Sequence, residues 1–434
     1  GGNNADNSVT VTWGASGTGH VTLNYTNASG CTALAATDQS ITINALPVPA
    51  IAGSVSVCAN STGNVYSTSG GMTNYLWSVT GGTISAGGTV TDNSVTVTWG
   101  ASGTGHVTLN YTNGNGCTAA SATDQTITIN PLPTPAITGS ASVCANSTGN
   151  VYSTIGGMSN YQWNVSGGII TGGGGTTNNN VIVTWGASGT GHITLNYTNT
   201  NGCTAASATD LAVTINPLPT PVIAGNTSVC ANSVGNIYTT DAGMSSYQWT
   251  ITGGTITSGG TASDNSATVT WGVAGTGHIT VNYTNANGCS AATATDLPVT
   301  VNILPTPTVS GVVPVCEGSS GHIYNTSAGM TNYQWSVTGG TITSGGSATD
   351  NNITVTWGAA GTGHIYVNYT NSNGCTAASP TDQPVIINSQ PVPVISGSTT
   401  VCSGSTGNVY STTPGMSNYL WTINGGIITA GGGN

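Results

Sequence analysis

The sequence predicts an all-β chain, a tandem array of two-sheet sandwich domains of 86 residues set end to end as a rod. Three observations carry this. Cys31, Cys117, Cys203, Cys289 and Cys375 form one series and Cys58, Cys144, Cys230, Cys316 and Cys402 a second, and successive members of each lie 86 residues apart. Short runs of alternating apolar and polar residues fill each period, and no helical periodicity interrupts them. Paired prolines recur at one phase of the period and divide one set of strands from the next.

Within the period Pro131 to Asn216, the strand signals come in order. A first strand is expected near Ala136 to Ser140 and a second near Asn150 to Thr154. A third runs from Tyr161 to Val165, with Tyr161, Trp163 and Val165 on one face. A fourth spans Gly168 to Thr171, and the fifth, Asn180 to Trp185, turns Val181, Val183 and Trp185 to one side. His192 to Thr198 follows with Ile193, Leu195 and Tyr197 aligned, then Leu211 to Asn216. Such period-two alternation gives each sheet one dry and one wet face. Seven strands in 86 residues match an immunoglobulin-like sandwich.

Residues 45–130, 131–216, 217–302 and 303–388 are then complete domains, 1–44 the C-terminal half of one and 389–434 the N-terminal half of another. The 434 residues are five periods with four residues over and no insertion, the mark of a structural array. Connectors such as Pro131-Leu132-Pro133-Thr134-Pro135 favour an extended, semi-rigid link. Gly1-Gly2 aligns with Gly87-Gly88, and Gly431-Gly432 falls on the same glycine loop. Two arrangements follow: a window on a longer repetitive polypeptide, or subunits joined head to tail. In the second, residues 391–430 are completed by residues 5–44 of the next copy and Cys402 bonds Cys31 of the neighbour.

Composition excludes several classes. The chain has no Lys or Arg against 11 acidic residues, a formal charge of −11, so nothing neutralises a phosphate backbone or an anionic membrane surface. No apolar run approaches the roughly 18 to 20 residues of a membrane span. The chain opens at Gly1 with neither initiator methionine nor basic leader, which reads as mature, soluble sequence with any export signal elsewhere.

Regular cysteines in a Gly-rich β chain point to disulfides and an extracellular, oxidising setting. No C-x-x-C pair supports zinc. Cys58, Cys117, Cys144, Cys203, Cys230, Cys289, Cys316 and Cys375 are the candidate disulfide residues, with Cys31 and Cys402 paired across subunits or to a further repeat. Pairing Cys144 with Cys203, both inside one period, makes each domain self-contained. Closing such a loop is worth roughly 3 to 4.7 kcal/mol, and this pairing is favoured. The alternative, the more closely spaced Cys117 with Cys144, clamps each junction across the proline linker.

No catalytic constellation emerges. His20, His106, His192, His278 and His364 each follow a Gly-Thr-Gly turn, and the nearby recurrent acids are Asp38, Asp124, Asp210, Asp296 and Asp382. Ser and Thr are too abundant for a Ser-His-Asp coincidence to be specific. No cofactor is expected. Calcium is a minor alternative at Asp6, Asp92, Asp264 and Asp350, a series broken by Asn178 and without a dense Asp-x-Asp cluster.

The repeat resembles the PKD-like, immunoglobulin-like domains of long secreted surface proteins of the Bacteroidota. The likeness rests on Ser142-Val143-Cys144-Ala145-Asn146-Ser147, Asn150-Val151-Tyr152, Tyr161-Gln162-Trp163 with Gly167-Gly168, Val183-Thr184-Trp185-Gly186 and Asn201-Gly202-Cys203. Trp163 leads to Asn164-Val165-Ser166-Gly167-Gly168 instead of that family's Phe-Gly-Asp-Gly turn. The resemblance implies export, by the type IX route, and display on the cell surface as an adhesin stalk or surface fibre. A binding module recognising glycan or a solid surface through each repeat is the alternative function.

Overall fold

The computed structural model describes residues 5–432; Gly1-Gly2, used above to set the phase of the first period, lie outside the described residues. Two strands, β1 (Gly17–Leu23) and β2 (Thr37–Ile43), pair antiparallel. Seven follow in residues 45–130: β3 (Ser56–Cys58), β4 (Asn64–Ser67), β5 (Thr73–Thr80), β6 (Gly82–Gly87), β7 (Ser94–Trp99), β8 (Gly103–Thr112) and β9 (Thr123–Asn130). Seven equivalents occupy residues 131–216: β10 (Ser142–Cys144), β11 (Asn150–Ser153), β12 (Ser159–Ser166), β13 (Gly168–Gly173), β14 (Asn180–Trp185), β15 (Gly189–Thr198) and β16 (Thr209–Asn216). Two further sets run from Ser228–Cys230 to Thr295–Asn302 and from Val315–Cys316 to Thr381–Asn388. There is no helix among the described residues.

In residues 131–216 one sheet has the order β10-β16-β15-β12 and the other β11-β14-β13. The alternation seen in the sequence is what lets them face each other. Val181, Val183 and Trp185 of β14 and Ile193, Leu195 and Tyr197 of β15 are buried between the sheets, while the intervening residues reach solvent. Tyr152 and Trp185 pack edge to face at 6.0 Å, and the indole Nε1–H donates to the Tyr152 hydroxyl at 3.2 Å. That hydroxyl donates to the Ser140 carbonyl at 2.9 Å. Trp163 donates to the Asn178 carbonyl at 2.9 Å, so each large aromatic buries its ring and satisfies its polar end.

One expected strand is displaced. Ala136 to Ser140 forms no ladder beyond a bridge from Thr138 to Ser153 on β11. The chain then crosses to the other sheet, where Ser142–Cys144 pairs in parallel with Thr214–Asn216. Thr138 N–H donates to the Ser153 carbonyl at 2.8 Å and Ser153 N–H to the Thr138 carbonyl at 2.9 Å, and Gly139, at a φ of 155°, then carries the chain away from the sheet of β11. The crossing passes directly over Tyr152: a Cβ on Gly139 would lie 2.2 Å from its ring.

The two half periods differ from the complete ones. In residues 5–44 the equivalents of Trp185 and Tyr197 are Trp13 and Tyr25, which are 38% and 70% exposed against 1% and 5%. The three-stranded sheet that would cover them comes from the first half of a period, which those residues do not contain.

Two outcomes follow. Gly191 lies beneath Trp185, where a Cβ would stand 2.2 Å from the ring and 3.0 Å from the Ser166 carbonyl. Gly191→Ala should cost that repeat about 1–3 kcal/mol in denaturant titration, and an unchanged midpoint would contradict the packing. Burial raises the pKa of Tyr66, Tyr152, Tyr238 and Tyr324 above the ordinary 10.0. Burial and the Asp241 carboxylate push Tyr283 up to about 12. The folded state therefore holds protons that the unfolded chain releases above pH 10. Melting temperature should fall as pH rises from about 10, the unfolded value, through the higher folded values, and the fall should coincide with tyrosinate absorbance.

Candidate functional site at the junctions between repeats

A junction begins where β9 ends. Parallel pairing of β3 with β9 sets Cys58 opposite Asn130, the last residue of its repeat. The buried Asn130 amide donates to the Val57 carbonyl at 3.1 Å and the Ser56 hydroxyl at 2.8 Å, and its carbonyl accepts from Ala59 N–H at 2.9 Å. Cys58 is thereby fixed beside the exit of the final strand.

The next repeat brings a turn to meet it. Between β15 and β16, Asn199 Oδ1 accepts from the amides of Asn201 at 3.1 Å and Cys203 at 3.0 Å, and Gly202 supplies a φ of 77°. Asn199 Nδ2 donates to the carbonyl of Pro131, the residue after Asn130, at 3.2 Å. This docks the turn on the start of the linker and buries Cys203, which is bonded to Cys58 with a Cα–Cα distance of 5.5 Å. Two further contacts hold the linker: Leu132 packs on the core of the preceding repeat, and Thr209 Oγ1 donates to the Pro135 carbonyl at 2.6 Å.

The same bond recurs as Cys144–Cys289 and Cys230–Cys375, each separated by 145 residues. In residues 303–388, Asn371 Nδ2 donates to the Ile303 carbonyl at 3.1 Å and Thr381 Oγ1 to the Pro307 carbonyl at 2.6 Å. Around residue 45 the turn is docked identically, with Asn113 Nδ2 donating to the Ala45 carbonyl at 3.1 Å.

These bonds correct the expected pairing. Each joins a repeat to its successor, so neither Cys144–Cys203 nor Cys117–Cys144 forms. The reason lies in the strand order. Cys144 is opposite Asn216, at the exit of its repeat, whereas Cys203 sits in the turn at the far end of the β15–β16 hairpin. The eight residues of β16 put about 25 Å between those ends, against roughly 7 Å allowed between the Cα atoms of a cystine. For the second pairing the cysteines lie at the outer ends of two successive repeats.

Cys117 and Cys316, expected in disulfides, are free thiols here, as are Cys31 and Cys402. A bond from Cys402 to Cys31 of a following copy would repeat the within-repeat step from Cys144 to Cys203, which no bonded pair takes.

The sequence reading missed the Asn that docks each turn. An Asn four residues before each cysteine of the first series, as Asn27, Asn113, Asn199, Asn285 and Asn371, with Gly immediately before that cysteine, was the available signal.

The five recurrent histidines all meet the recurrent acids, while the sixth, His322, pairs through Nε2 with the Ser319 hydroxyl at 2.7 Å. Nδ1 lies 2.7 Å from the carboxylate in His20–Asp38 and 2.9 Å in His106–Asp124, His192–Asp210, His278–Asp296 and His364–Asp382. Both partners stand on the wet face of the larger sheet, where such a pair contributes at most about 1 kcal/mol. In the other acidic series, the Thr89 hydroxyl and amide hold the Asp92 carboxyl below the usual carboxylate range, and Asp264 and Asp350 repeat this with Thr261 and Ser347. These carboxylates close their own loops, and among the described residues no group of three or more His, Cys, Asp or Glu side chains could hold a metal ion. A shallow groove of about 630 Å³ beside the linker is lined by Pro133, Thr138, Ile155, Met158 and Tyr197. No helix among the described residues is long and apolar enough to cross a membrane.

The pairing has a direct check, because the chain lacks every tryptic site. In a Pro133→Arg variant, denatured with thiols blocked and then digested with trypsin, the two fragments should stay joined until reductant is added. Separation without reductant would restore the pairing within repeats.

No curated protein matches the chain. Among solved structures, a surface-layer protein fragment, SbsC domains 1–6, is similar at 13% identity and TM-score 0.21, over 82% of this chain and 62% of that one. The chain thus spans less than two thirds of that fragment. The Escherichia coli adhesin FdeC is similar at 16% identity and TM-score 0.25, over 74% of this chain and 98% of that one. The ICAM-5 D1–D4 ectodomain fragment follows at 10% identity and TM-score 0.33, over 79% and 100%. The model of the PKD-like domain matches residues 44–126, 130–213, 216–299 and 303–383, one match for each complete set of seven strands. Four successive PKD-like domains account for most of the chain, which belongs to that family.

Proposed function

We propose that this chain is the shaft of an extracellular rod or fibre, an adhesin stalk or surface filament exported through a type IX route and displayed on the cell surface. The observation that carries this reading is the cystine from each complete repeat to the next, combined with a linker held at both ends and in its middle. A chain of binding domains needs flexible joints to reach separate ligands; joints stapled covalently serve to hold a distance. Cystines require an oxidising compartment. The absence of Lys and Arg removes tryptic sites, and among the described residues the only acid–base pairs are the five exposed His–Asp contacts.

The second reading, a multivalent glycan or surface binder, is favoured by the groove beside the linker, where the Tyr197 ring is joined by Thr134, Thr138 and Thr154. A glycan array and a surface-binding assay on the oxidised chain separate the two: a passive shaft binds nothing, and saturable binding would favour the second.

Stability should reflect the same economy of charge. Exposed pairs are screened by salt and contribute little, whereas closing a 145-residue loop is worth about 5 kcal/mol in the chain-entropy model. Melting should move little between low and high salt and fall on reduction. Strong salt dependence with indifference to reductant would contradict both statements.

A further inference from the structure

We infer that the cystines turn the array into a covalent ladder whose two rails carry tension past the sandwich bodies, leaving the stretch from Cys58 to Cys375 nearly inextensible while oxidised. Such a ladder goes beyond the proposed role. A stalk of independent sandwiches would serve that role equally, so the two fail separately.

The rails follow from connectivity. One runs to Cys58, crosses to Cys203, follows the backbone to Cys230 and crosses to Cys375. The other follows the backbone from Cys117 to Cys144, an equal stretch of chain, crosses to Cys289 and continues to Cys316. At each bonded junction one rail passes through the cystine and the other through the proline linker. Each joint therefore has two covalent connections.

The backbone part of a rail has little slack. Between Cys117 and Cys144 it comprises β9, the linker with Pro131, Pro133 and Pro135, and the crossing into β10. Strand and polyproline conformations advance about 3.1–3.4 Å per residue, near the chain's limit of roughly 3.3–3.6 Å. Pulling on such a segment straightens only the bends at residues 120–121 and 139–141.

The rest of each repeat lies off the rails. Residues 59–116 and 145–202, stretches of equal length, hold β4–β8 and β11–β15. Each such body connects one rail to the other as a rung. A sandwich that opens under load leaves both rails intact, and so does a nick within it.

Single-molecule stretching of the full chain held by its two ends tests this, since the contour at detachment reads the covalent path. With the three cystines intact the shortest path has 57 steps from Gly1 to Cys58, 27 from Cys203 to Cys230 and 59 from Cys375 to Asn434, 143 in all. At the chain's limiting rise this is about 500 Å, and after reduction 433 steps give about 1,500 Å, a threefold increase. The paired replacement Cys58→Ser with Cys203→Ser cuts the first rail, and the shortest path becomes 261 steps, about 900 Å. Cys144→Ser with Cys289→Ser cuts only the second rail and should leave the oxidised contour at the wild-type length. Extension of the oxidised wild-type chain by whole 86-residue increments, or equal contours for the two paired variants, would overturn the ladder. The comparison of oxidised with reduced wild type depends on no variant folding.

Discussion

The structure turns on where one short strand ends. Because Ser142–Cys144 runs parallel to the last strand and finishes opposite Asn216, each cysteine of its series stands at the exit of a repeat. The other series occupies the turn that meets the linker from the preceding repeat. Two half-cystines at opposite ends of a sandwich cannot reach each other, but each faces the complementary one across a junction. Staggered pairing is thus imposed by strand order, and it makes every complete repeat depend on its neighbours.

Uniformity elsewhere serves that geometry. A cystine tolerates only about 4.4–6.8 Å between Cα atoms, and the three bonds span 5.5, 5.6 and 5.6 Å. An insertion between the final strand and the docking Asn would move the turn out of reach. Constant period length and the repeated Asn, Thr and Pro contacts at the linker are the local means by which that distance is kept. A single sandwich must still fold around its own core, and the Tyr152–Trp185 pair over Gly191 supplies a rigid centre without any charged residue.

Much of the fold was legible in the sequence because period-two alternation reports burial directly. Tyr161, Trp163, Val183, Trp185 and Leu195 fall on the dry faces that their spacing assigned. Legibility failed at the edge strand. Ala136 to Ser140 alternates well enough, but alternation does not say which neighbour a strand pairs with or where the chain leaves one sheet for the other. The disulfide error descends from that one misplacement. A separation of 145 is one full period of 86 longer than the step from Cys144 to Cys203, so both pairings use the same two phases. Spacing alone cannot distinguish a bond within a repeat from one displaced by a full repeat. Strand polarity distinguishes them, and polarity is a tertiary property. The docking Asn was visible as a recurring letter, but in a chain so rich in Asn only its contact with the Pro131 carbonyl gives it meaning.

The staggered cystine is the central claim, and the five methionines, one per period at Met72, Met158, Met244, Met330 and Met416, allow it to be read in one step. Cyanogen bromide cleavage of the oxidised, thiol-blocked chain followed by mass measurement without reductant gives a different result for each pairing. Staggered bonds join residues 1–72, 159–244 and 331–416 into one product and 73–158 with 245–330 into another. The account predicts those two masses beside the short peptide 417–434. One product holding all five long fragments would mean pairing within repeats, and five separate long fragments would mean pairing across each linker; either would contradict the account.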